Sequence, residues 1–183
     1  MSDDSQTNMH QSGKSIPTFR ESLARGQIPA GQTTISANVN RERLLKDFAD
    51  RFEGKPKEWK VNNEHWTRDK VVINILWYPS QSVFFTFRNG DLVLVEFPCL
   101  GTPDSKWDYF LEVQKYFRTK RDVLTHLGEE NSSNESNTQN LETVWEFSDL
   151  IVYLACDAKT GGCGIGLRPR RQSNLSTNAS ELA

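Results

Sequence analysis

VVINILWYPSQSVFFTFRNGDLVLVEF, residues 71–97, holds three runs of β-branched and aromatic residues separated by turn chemistry. A two-residue turn with positive φ at both centres is cheapest on Asn-Gly, so Asn89-Gly90 joins two of these runs as a hairpin. That turn predicts a register in which Arg88 faces Asp91, Phe87 faces Leu92, Thr86 faces Val93 and Phe85 faces Leu94. Phe85, Phe87, Leu92 and Leu94 then share one face, and the Arg88/Asp91 pair with Thr86 takes the other. Upstream, Val71, Ile73, Ile75 and Trp77 alternate with Val72, Asn74, Leu76 and Tyr78, which predicts a preceding strand turned by Pro79-Ser80. A sheet with one mainly apolar face needs a cover.

The cover is legible on both sides of this stretch. Thr18-Phe19-Arg20-Glu21 has the spacing of a capping box and predicts a short helix ending at Gly26. Residues 27–40, with Pro29 and Gly31, read as an irregular connector. From Arg41, Leu44, Leu45, Phe48, Ala49 and Phe52 recur at helical spacing, with Asn40 able to cap and Gly54 to end the helix. Thr102-Pro103 suits the start of a longer helix, in which Trp107, Phe110, Leu111, Phe117, Leu124 and Leu127 form an apolar stripe ending before Gly128.

Residues 143–147 and 150–155 read as further strands, and Gly161-Gly162 as a turn into residues 163–167. The order predicts an α+β fold, an antiparallel sheet of about five strands covered by helices on one face. It is expected as a single domain over residues 16–171, between disordered tails at 1–15 and 172–183. Residues 129–142 carry four Asn and three Ser with one apolar residue, Leu141, and are expected to be a mobile polar insertion.

The formal charge of -2 over 183 residues gives no general attraction to nucleic acid or anionic membrane. No run approaches the roughly 20 apolar residues of a membrane span, and the N-terminus is polar and acidic, so a soluble, cytoplasmic protein is expected. Three cysteines form an odd, sparse set that argues against a disulfide-stapled secreted domain. Asn-x-Ser sequons begin at Asn131, Asn134, Asn174 and Asn178 and are read as by-products of Asn/Ser-rich composition.

Few residues suggest chemistry. Cys156 and Cys163 flank a turn and are a redox candidate, set against a reading as small apolar strand residues. Zinc would need Cys99, His10, His65 or His126 to complete its ligands, none at metal-binding spacing, so no metal is expected. A catalytic thiolate–histidine pair would need Cys99, Cys156 or Cys163 to meet His65 or His126 in space. Asp91 and Glu96 lack the lysine that a strand-borne nuclease centre would carry, since Pro98 stands there. The run Gly161-Gly162-Cys163-Gly164-Ile165-Gly166 leads to Arg168 and Pro169, not to Lys-Ser or a helix, so it reads as a turn or bulged strand and no cofactor is expected.

Two basic clusters remain, Arg118, Lys120 and Arg121 on the long helix and Arg168, Arg170 and Arg171 near the C-terminus. Merged, they would contact phosphates; apart, they are solvated charge. Trp77 and Trp107 suit core positions, whereas Trp59 and Trp66 lie in a polar stretch where aromatics serve as interface anchors. The reading is therefore a non-enzymatic protein-binding domain whose partner is another protein. The alternatives are an enzyme with a cysteine/histidine site assembled from distant segments and nucleic-acid binding through the Arg/Lys clusters.

Overall fold

The structure, a computed structural model, describes residues 17–99, 109–136, 139–157 and 162–170. In chain order it contains α1 (Phe19–Ala24), β1 (Gln27–Ala30), β2 (Thr33–Ser36), α2 (Arg41–Asp47), β3 (Lys57–Val61), β4 (Glu64–Ile75) and β5 (Tyr78–Arg88). There follow β6 (Asp91–Pro98), α3 (Tyr109–Leu127), β7 (Ser132–Asn134), β8 (Asn140–Glu146), β9 (Leu150–Asp157) and β10 (Gly162–Pro169). The fold is α+β and antiparallel, but its main sheet has eight strands, in the order β3-β4-β5-β6-β10-β9-β8-β7, where about five are expected. Two four-stranded meanders thus meet along β6 and β10. β1 and β2 form a separate hairpin in the stretch that reads as an irregular connector.

The extra strands escape the sequence for a physical reason. Every residue of β3 is exposed, and the three of β7 are too, so neither carries the alternation that marks a half-buried strand. Both are edges of the sheet, where polar and charged residues are tolerated and discourage further pairing. Within 129–142, Ser132–Asn134 pairs with Glu142–Val144 of β8, and Lys120 reaches Glu130 and Glu135 at 2.8 and 2.7 Å. These contacts between described residues are hydrogen bonds and ion pairs in place of apolar burial.

Asn89 and Gly90 take φ of 52° and 88°, as the hairpin turn requires. The pairs Arg88–Asp91 and Phe87–Leu92 form as expected, but Thr86 then faces Leu94 and Phe85 faces Val95. Val93 is the extra residue of a bulge. The slip turns Leu94 away and brings Val95 and Phe97, 0% and 2% exposed, onto the buried face beside Phe85 and Phe87. The β4–β5 turn also differs from expectation: it is Leu76-Trp77, and Pro79-Ser80 lies inside β5. Leu76 sits at φ 52°, which costs a leucine roughly 1–2 kcal/mol. Burial of its side chain and a 2.8 Å hydrogen bond from its amide to the Pro29 carbonyl offset that strain.

Thr18 and Glu21 make the expected capping box, and Asn40 caps α2 through the Arg43 amide at 2.9 Å. α2 stops at Asp47, before the expected Gly54, and a 3-10 turn at Ala49–Arg51 follows. The long helix is rotated from its expected orientation. Phe110, Leu111 and Phe117 are exposed, 73%, 39% and 39%, while Glu112, Tyr116, Thr119, Val123 and Leu127 face inward. The polar members of the inner face have partners: the Tyr116 hydroxyl lies 2.5 Å from Thr143 Oγ1, and Glu112 accepts from Lys115 at 2.6 Å. All three helices and the β1–β2 hairpin contribute to one core on one side of the large sheet.

Two carboxylates are buried in that core with a cationic partner, Glu112 with Lys115 and Asp69 with Arg41. Asp69 projects from β4 into it, 3% exposed, and accepts from Arg41 Nε and Nη2 at 2.8 and 3.1 Å. Removing the guanidinium leaves a buried carboxylate alone, which costs far more than an exposed pair is worth. Arg41→Met is expected to lower unfolding free energy by about 3 kcal/mol, read from urea denaturation, and Asp69→Asn to cost less because its amide still accepts a hydrogen bond.

Candidate functional site

Strand alternation that buries one face of the sheet presents the other residues on the opposite face, and no helix covers that face among the described residues. Trp59 of β3 pairs with Trp66 of β4, and their rings stack at 6.1 Å and 18°. Next to them the Arg68 guanidinium lies 4.5 Å over the Phe84 ring and donates to Glu96 at 3.2 Å. Tyr153 donates to the other oxygen of Glu96 at 3.5 Å. Arg88 lies 5.9 Å from the Trp66 ring and pairs with Glu64 at 3.5 Å.

Gly166, the last of the glycine run, has its physical reason here. The Tyr153 ring lies directly over Gly166, and a Cβ at that position would overlap it. Glycine in the strand therefore lets an aromatic ring lie flat on the sheet. The Tyr153 ring separates two hollows of about 540 and 380 Å³, one lined by Trp66, Leu94, Ile151 and Arg168, the other by Arg68, Phe84, Ala155 and Gly164. Two buried donors have no acceptor among the described residues, Trp66 Nε1 and Arg68 Nε, and both belong to this face.

The described members of the basic clusters do not meet on one surface. Arg168 is on the open face, while Arg118 and Arg121 are exposed on α3, which packs against the other side of the sheet. Lys120 is held between Glu130 and Glu135: burial opposes its charge, but the two carboxylates keep its pKa above the ordinary lysine value. Arg170 pairs with Glu146, and Arg171 lies outside the described residues.

His126 stacks on Trp77 at 4.1 Å and donates through Nδ1 to the Asp122 carbonyl at 2.9 Å. The Asp122 carboxylate accepts from Trp77 Nε1 at 2.6 Å and the Tyr78 hydroxyl at 2.7 Å, so this cluster fastens the β4–β5 turn to the end of α3. His65 lies 3.6 Å from Glu58 on the β3–β4 hairpin, and His10 and Trp107 fall outside the described residues. The three cysteines are together on the buried face: Cys156 faces Cys163 across β9 and β10, and Cys163 Sγ is 2.9 Å from Cys99 Sγ. The described contacts bring neither His65 nor His126 to a thiol. Among the described residues no three His, Cys, Asp or Glu side chains are grouped to hold a metal, and no helix is long and apolar enough to cross a membrane.

Sequence reasoning singles out Trp59 and Trp66 but not Arg68, Phe84 or Tyr153, and it weighs Glu96 only as a nuclease carboxylate beside Asp91. Phe84 and Glu96 are outward positions of their strands, and only the bulge at Val93 sets them opposite each other. Comparison with family models, with curated proteins and with solved structures gives no match.

The tyrosines predict a pH response. Burial, reinforced by the Glu96 charge, pushes Tyr153 up to about 12. Burial and Asp122 push Tyr78 further up, and burial raises Tyr116. An unfolded chain loses these protons near pH 10 while the folded chain still holds them. Their contribution to stability is therefore full below about pH 10 and falls as the pH rises through about 12. Urea denaturation midpoints should drop across that window, and Tyr153→Phe should make the drop smaller.

Proposed function

We propose that the protein is a binding module that seats a segment of another protein on the open face of its sheet, with Trp59 and Trp66 as anchors. The observation that carries this reading is the pair of buried donors, Trp66 Nε1 and Arg68 Nε, that lack acceptors beside a stacked tryptophan pair. Leaving such a group unpaired costs about 1–3 kcal/mol, so a bound segment that shifts the covering side chains and supplies a carbonyl or carboxylate recovers that cost. Aromatic rings next to desolvated donors are the composition of an interface centre.

Charge separates this reading from nucleic-acid binding. Arg68 is neutralised by Glu96 and Arg88 by Glu64, so those two arginines on the aromatic face are not free to release counterions from phosphates. The cysteine/histidine enzyme gains no support from thiols that no described contact brings to His65 or His126.

Panning a random peptide library against the full chain tests the proposal, with Trp59→Ala as a counter-screen, since that ring is already 38% exposed. Selected peptides are expected to lose about 30-fold or more in affinity for the variant, the effect of removing a hot spot. Peptides that bind the variant as well as the native chain would overturn it. So would a chain that retains only single-stranded RNA, with affinity collapsing as salt rises.

A further inference from the structure

The three cysteines stand in one row, Cys156 in β9, Cys163 in β10 and Cys99 directly after β6. Cys156 of β9 is directly opposite Cys163 of β10. On the other side of β10, the register Pro98–Gly164 carried one residue further sets Cys99 opposite Cys163, and the Cys99 amide donates to the Cys163 carbonyl at 2.9 Å. All three are free thiols on the buried side of the sheet beneath α3. Cys163 thus has a thiol neighbour on each side, and the two neighbours are not equivalent.

Cys99 lies against Cys163. Its sulfur is 2.9 Å from that of Cys163, about 0.9 Å beyond a disulfide bond length, and opposed antiparallel positions bring Cα atoms to about 5.5 Å, inside the span a disulfide bridges. Cys156 points its thiol at the Glu112 carbonyl of α3, 3.7 Å away. Access differs in the same sense: Cys99 and Cys163 are each 8% exposed and Cys156 is 2% exposed. The surroundings also favour a thiolate on Cys99. The Cys163 thiol donates to it, and Thr119 and Lys115 add to that against burial and the Glu112 charge, so its pKa lies below the ordinary cysteine value. Burial pushes Cys156 up to about 11, and the hydrogen bond to Cys99 raises Cys163.

We propose that Cys99 and Cys163 are a modification site for hydroperoxides, with Cys99 the attacking thiolate, Cys163 the resolving thiol and Cys156 left reduced. Cys99 Sγ attacks the O–O bond; an S–O bond forms, the O–O bond breaks, and the distal oxygen leaves with a proton as water or alcohol. Cys99 is oxidised by two electrons to a sulfenic acid and the peroxide is reduced. Cys163 Sγ then attacks Cys99 Sγ; the S–S bond forms, the S–O bond breaks, and hydroxide leaves with the Cys163 proton as water. A dithiol reverses the link by exchange.

Hydrogen peroxide treatment of the reduced, folded full chain tests this, followed by alkylation, intact mass and peptide mapping. The expected result is the loss of two hydrogens per chain and a Cys99–Cys163 crosslinked peptide, reversed by dithiothreitol, with Cys156 alkylated only after unfolding. In Cys163→Ser a dimedone adduct should appear on Cys99, and Cys156→Ser should form the crosslink as the native chain does. A Cys156–Cys163 link, a crosslink that persists in Cys99→Ser, or three unchanged thiols under peroxide that oxidises the denatured chain would each overturn the proposal. The native-chain map decides the pairing even if a variant folds poorly.

Discussion

One-sided burial is the constraint on which the rest of the structure depends. In a strand with period two, a slip of one residue exchanges every buried side chain for its outward neighbour. The six inner strands must therefore agree on which side is covered, and the chain spends a bulge to keep them in agreement. Without the extra residue at Val93, Leu94 would enter the core and Val95 would leave it. The same requirement explains the turn at Leu76, where an unfavourable backbone angle is accepted because it seats a leucine beneath the β1–β2 hairpin. Rotation of α3 belongs to this accounting as well. Its inner residues are those that satisfy Thr143 and pack beside the cysteines, and three large apolar side chains are left outside.

The uncovered side has a different character. Arginines are laid over aromatic rings and tied to glutamates, which keeps the surface electrically balanced while exposing flat, rigid groups. Such a surface offers little long-range attraction, so recognition there depends on shape and on short-range donors. The glycine at 166 contributes by absence: it leaves room for Tyr153 to lie on the strand, and that ring divides the face into two hollows.

Much of the fold is legible in local chemistry. Thr18 and Glu21, Asn40, and Asn89-Gly90 act within a few residues, so their caps and turn follow from spacing alone. The α+β, antiparallel class follows from alternation in residues 71–75, the Asn-Gly turn and helical periodicity elsewhere. What escapes is decided by distant partners. β3 and β7 are strands because a neighbour offers hydrogen bonds, not because their side chains seek burial. The inward face of α3 depends on Thr143, 27 residues from Tyr116, and no periodicity within the helix reveals it. At the site, Trp59 and Trp66 stand out as aromatics in polar surroundings, but Glu96 and Tyr153 become neighbours only when β6, β10 and β9 line up. The proximity of Cys99 to Cys163 arises from the same alignment.

The meeting of β6 with β10 has a consequence for how the chain assembles. Within each meander, neighbouring strands are joined in sequence and can zip from their turns. The joint between the meanders has no such shortcut, since Cys99 and Cys163, at one end of it, are 64 residues apart. Closing that loop costs chain entropy before any contact across the joint repays it. Val95, Phe97, Ile165 and Leu167 repay it at once, because all four are buried when the strands dock. Among the strand pairings of the large sheet, this one therefore carries the largest loop-closure cost.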